Sequence, residues 1–190
     1  DLKDADAPKD WFDLCKSEFK GDIGIEPARA RILIFFDMML GREKMTDLLS
    51  CIGKNQPIVM RGTTTRLELM LAGDHSVEGL NSFYKGMDYI RTKGAAKVPF
   101  RPMMSAPVMA QPSGCFINRL TSRPYSAGLY CDAQLGEATQ KYLYENFRNP
   151  VTMPSPFMPK DVQLITVGPR PVDYVNGMYD IWAKTMGTAK

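Results

Sequence analysis

The chain has 190 residues, 44% of them hydrophobic, and a formal net charge of +3. That length bounds the architecture to one or two domains with a true core, and no apolar run approaches the ~18 residues of a membrane span, so no integral span is expected. The weak positive charge is spread without any block of like residues, which is too little to argue for nucleic acid.

Residues 1–9 are polar. Asp10 to Lys20 places Trp11, Leu14, Cys15 and Phe19 along one side, which predicts a short amphipathic helix with Asp10 as N-cap and Gly21 and Gly24 as its stop. Pro27 suits the first turn of a helix through Leu40 that is apolar almost all round and therefore central. After Gly41, Met45, Leu48, Leu49 and Ile52 mark a second helix, and Gly53 to Pro57 stops it. Arg66 to Leu71 alternates and predicts a strand. Val77, Leu80, Phe83, Met87 and Ile90 recur at helical spacing. A Pro- and Met-rich stretch follows and reads as an extended linker. Beyond it, Tyr125 to Gln134 is weakly helical, Gly136 to Phe147 is a helix, and Asn149 to Pro159 is a Pro-rich loop. Val162 to Val167 predicts a strand, and Val172, Val175, Met178 and Ile181 a last helix.

The two halves match each other. Asp37 to Met60 lies over Asp132 to Met153, Leu69 over Leu164, and Gly86 to Lys97 over Gly177 to Lys190. The expected fold is therefore α+β and mostly helical, built as two tandem units (helix-helix-loop-strand-helix) with a pseudo-two-fold relation. The domain reading is an N-terminal arm at 1–30, a first unit at 31–97, a linker at 98–125 and a second unit at 126–190. The chain starts at Asp1 without Met, which reads as a mature or trimmed form.

Chemistry is sparse, and an enzyme is not expected. His75 is the one histidine; beside Asp74 and with no nucleophile at a suggestive spacing, it reads as a loop residue. No phosphate-loop or dinucleotide fingerprint occurs, and isolated cysteines with one histidine do not make a metal site. Glu43 and Asp47 read as exposed helix charge. Phe83-Tyr84-Lys85 and Arg123-Pro124-Tyr125 pair aromatics with bases, but such pairs are dispersed. The four cysteines, Cys15, Cys51, Cys115 and Cys131, form no CxxC pair. Parity allows two disulfides, and the bland reading is buried free thiols. A single thiol also suffices to anchor a linear tetrapyrrole, whose propionates want Arg or Lys.

Two related halves, isolated cysteines, mildly basic charge, and 13 Met and 14 Pro together resemble the gamma subunit of red-algal phycoerythrin, the coloured rod linker of phycobilisomes. The resemblance implies a light-harvesting linker inside a hexamer of phycoerythrin alpha and beta subunits, in contact with other phycobilisome linkers. It implies phycourobilin or phycoerythrobilin held by thioethers on Cys15, Cys51, Cys115 and Cys131, and a place on the stromal face of the chloroplast thylakoid. The alternatives are an unpigmented structural subunit of a large assembly, such as an organellar complex or a capsid, and an RNA-binding repeat module.

Overall fold

Ile32, Leu33, Ile34, Phe35 and Phe36 are consecutive, and in the computed structural model of the chain all five are buried. The structure describes residues 6–79, 81–94, 97–98, 107–110, 114–148, 150 and 163–187. The buried run belongs to α1 (Ala30–Leu40), the central helix that an all-round apolar sequence demands. Gly41 then turns the chain at φ +80° into α2 (Arg42–Lys54). Met45, Leu48, Leu49 and Ile52 form the apolar stripe of α2. That stripe and α1 meet a helix from far along the sequence, α7 (Val172–Met186), which buries Met178 and Trp182. Gly53 permits the closest approach, because a Cβ there would overlap the carbonyl of Thr185.

Three short strands, β1 (Ile23–Ile25), β2 (Ile58–Val59) and β3 (Val77–Gly79), form a parallel sheet in the order β2-β1-β3. Gly24 pairs with Ile58 on one side and Glu78 on the other. The connections between these strands are helical, as parallel pairing requires. α1 and α2 link β1 to β2, and α3 (Thr63–Ala72) links β2 to β3. After β3 comes α4 (Phe83–Lys93). A second parallel pair joins β4 (Val108–Ala110) to β5 (Leu164–Thr166). The chain divides into two compact units. One comprises Asp1–Gln111 with Gln163–Lys190, and the other Pro112–Val162. Within the second, α5 (Pro124–Leu135) and α6 (Glu137–Glu145) turn on Gly136, and the buried Gln140 amide donates to the carbonyl of Gln134 at 2.7 Å.

The mostly helical α+β class is as expected, and so are α1, α2, α6, β5 and α7. Several details differ. Arg66 to Leu71 is not a strand but the middle of α3, bounded by Gly62 and by Gly73 in the left-handed region. Its apolar residues Leu67, Met70 and Leu71 stand at i, i+3 and i+4, and this spacing prevails over the local alternation. Val77 opens a strand instead of a helix, and Tyr125 to Gln134 is fully helical. Asp10 to Lys20 forms two 3-10 turns, Phe12–Cys15 and Ser17–Phe19. The N-cap of the first turn is Trp11, not Asp10, although the Asp10 carboxylate accepts the N–H groups of Phe12 and Asp13. The aligned residues Leu69 and Leu164 lie in a helix and a strand respectively, so the two halves differ in element order at that point. The Pro-rich loop expected at Asn149 to Pro159 lies almost wholly outside the described residues.

Candidate functional site

The four cysteines singled out by the sequence form two disulfides, Cys15–Cys51 and Cys115–Cys131. The expectation of free thiols is thereby corrected. Sequence distance concealed the first pair, which joins an early 3-10 turn to α2. Asn55, buried just past the end of α2, donates its amide to the carbonyls of Leu14 and Lys16, each at 2.8 Å. That clamp sets Cys15 against Cys51. The second pair lies in the other unit, between the segment before α5 and α5 itself. A thioether at any of the four positions would require a sulfur that a disulfide occupies. His75 does lie in a loop, but it is buried and fixed rather than free.

The polar groups that the fold brings together sit at the carboxyl ends of β1, β2 and β3. Glu26 follows β1, the carbonyl of Met60 follows β2, and Glu78 is on β3. Arg66, from the first turns of α3, is 1% exposed and occupies their centre. Its Nε donates to Glu78 Oε1 at 2.5 Å, its Nη1 donates to the Met60 carbonyl at 3.0 Å, and its Nη2 lies 4.0 Å from Glu26 Oε2. Asn81 donates to the same Glu78 oxygen at 3.2 Å. His75 Nε2 is 3.1 Å from Glu78 Oε2. Burial pushes the Glu78 carboxyl up from its ordinary pKa, against the downward pull of Arg66 and His75. Arg66 Nη2 and His75 Nδ1 are buried without a hydrogen-bond partner among the described residues.

A cleft of about 260 Å³ opens beside this cluster, lined by Glu26, Pro27, Ala28, Arg29 and Arg61. Arg29 reaches back to form an ion pair with Glu26. The loops that line it leave β1 and β2 at their carboxyl ends, where open parallel sheets receive ligands. Of these residues only Pro27 stood out in the sequence, and it precedes α1, which begins at Ala30, instead of sitting in its first turn. The signals present were an acidic residue straight after the apolar trio Ile23-Gly24-Ile25, and the Arg61-Gly62-Thr63 entry to α3, which only the correct helix assignment makes visible.

No family model matches the chain, and no curated protein matches it. A solved structure does: the ferric binding protein from Campylobacter jejuni has a TM-score of 0.56 at 16% sequence identity, covering 93% of this chain and 62% of that one. The likeness is one of fold, and the chain spans 62% of that protein's length. Among the described residues, no group of three or more His, Cys, Asp or Glu is placed to hold a metal ion. No helix among them is long and apolar enough to cross a membrane.

Proposed function

We propose that this chain is part of a binding protein for a small solute, held reversibly at the carboxyl ends of β1 and β2. One observation carries the reading. The cleft between those loops is walled by Glu26, Arg29 and Arg61, and Glu26, which pairs with Arg29, is itself held by the buried network of Arg66 and Glu78. Bracing of that kind preorganises a site, and preorganisation lowers the cost of binding. The shared fold with a ferric binding protein supports the same reading without carrying over its metal. The two disulfides fit work in an oxidising compartment. The light-harvesting linker rests on thiols open to phycourobilin or phycoerythrobilin, and the paired sulfurs give it no support.

The test is a thermal-shift screen of the purified chain against small organic acids, amines, sugars, amino acids and metal ions. A ligand that binds only the folded state raises the melting temperature with concentration. The expected result is at least one saturating solute, whose effect disappears in Arg61→Glu. The reading is overturned if no solute in the screen shifts melting, or if the denatured chain keeps visible bilin absorption. The latter outcome would instead establish the pigmented linker.

A further inference from the structure

The charges around the cleft do not balance within their own set. Three guanidiniums, Arg29, Arg61 and Arg66, meet two carboxylates, Glu26 and Glu78. Glu78 is committed to Arg66, and Glu26 is shared by Arg29 and Arg66. Arg61, on the cleft wall, has no ion pair among the described residues. It directly precedes Gly62, the N-cap of α3, whose first turn has no side-chain cap. A helix start of this kind favours a negative group, through its free N–H groups and its dipole. Arg66 does not line the cleft; its buried Nη2, without a hydrogen bond among the described residues, forms an ion pair at 4.0 Å with the Glu26 carboxylate of the wall.

We infer that the solute carries one carboxylate, seated in the cleft between Arg61 and Arg29. The inference rests on the binding reading above and narrows it to a ligand class. Charge decides between anions. A carboxylate brings the single negative charge that the set lacks, whereas inorganic phosphate near neutral pH brings more than one. Geometry agrees, because a planar carboxylate accepts two parallel N–H groups from a guanidinium. Glu26 does not repel it strongly, since that carboxylate is held between two guanidiniums of its own.

The experiment is calorimetric titration of the whole chain with lactate, 3-hydroxybutyrate, lactamide, inorganic phosphate and putrescine. At least one of the two monocarboxylates should bind at one site. Lactamide should bind at least about tenfold more weakly than lactate, and Arg61→Gln should weaken the acid about tenfold and narrow the gap between acid and amide. The Arg61→Gln protein should melt as the parent does, because its side chain is at the surface. Equal binding of acid and amide overturns the inference, as does stronger binding of phosphate or putrescine. Failure of both acids, where the screen above has found a neutral or cationic solute, overturns the carboxylate and leaves the binding reading standing. Failure of both, where the screen has found nothing, removes the two together.

Discussion

Gly24 on β1 faces the ring of His75 so closely that a Cβ at position 24 would overlap Nε2, and would also crowd Glu78 Oε2. The middle strand of the sheet is therefore bare on the side where the charged cluster lies. Gly24→Ala should lower stability by about 1–3 kcal/mol, because a filled interior has no room for the added methyl. Urea unfolding measures it. An unchanged midpoint would show that His75 is free to move aside.

Arg66 should be the most costly side chain in the cluster to remove. Arg66→Met leaves Glu78 buried with its main partner gone, and breaking a buried pair from one side costs roughly 3–5 kcal/mol. Adding Glu78→Gln should restore part of the loss, since the orphaned charge goes with it. If the double variant is as unstable as the sum of the two single ones, the pair is not coupled.

The arrangement at Asp37 predicts the acid limb of stability. Its carboxylate pairs with Arg42 at 2.9 Å and accepts the hydroxyl of Tyr174 from α7. Arg42 chiefly, and Tyr174 after it, hold the carboxyl below its ordinary value of 3.8. The stabilisation is complete above that value and is lost as pH falls through the lower folded one. Asp37→Asn should flatten this part of the pH–stability curve and leave the slope near neutrality unchanged. Melting temperatures across acidic buffers decide it.

Reduction should be costly. The disulfides span sequence separations of 36 and 16 residues, and closing loops of that size is worth roughly 3 kcal/mol each. Alkylation before reduction should label no cysteine, and alkylation after it should label all four. Native mass should be four hydrogens below that of the reduced chain, with nothing added. A mass increase of bilin size would sink this prediction.

The sequence made the helical core legible because burial there follows a simple period. Ile32 to Phe36, and the stripe Met45, Leu48, Leu49 and Ile52, need no tertiary information to be read. The sheet was harder. Its strands are two or three residues long, too short for alternation to show, and Ile23-Gly24-Ile25 is buried on both faces. Of the positions matched between the two halves, Gly41 and Gly136 stand at helix ends, but Gly86 and Gly177 lie inside α4 and α7 and Leu164 is exposed, so the matched residues do not share one structural role. The site was least legible. Glu26, Arg61, Arg66 and Glu78 are far apart in sequence and meet only because β2-β1-β3 is the strand order. Ordinary charged residues carry no mark of such a meeting. Cysteine parity did permit the disulfides, but Asn55, which holds Cys15 beside α2, gave no sign.

The close crossing of Gly53 and Thr185 has a consequence for how the chain is made. α1 and α2 are synthesised early, yet the helix that covers them is encoded more than a hundred positions later. Until α7 leaves the ribosome, the part of α2 that it covers has no lid, and the residues of Pro112–Val162 must be made first. A nascent chain halted before Val172 would therefore expose the apolar side of α2, which is the kind of surface that chaperones and aggregation compete for.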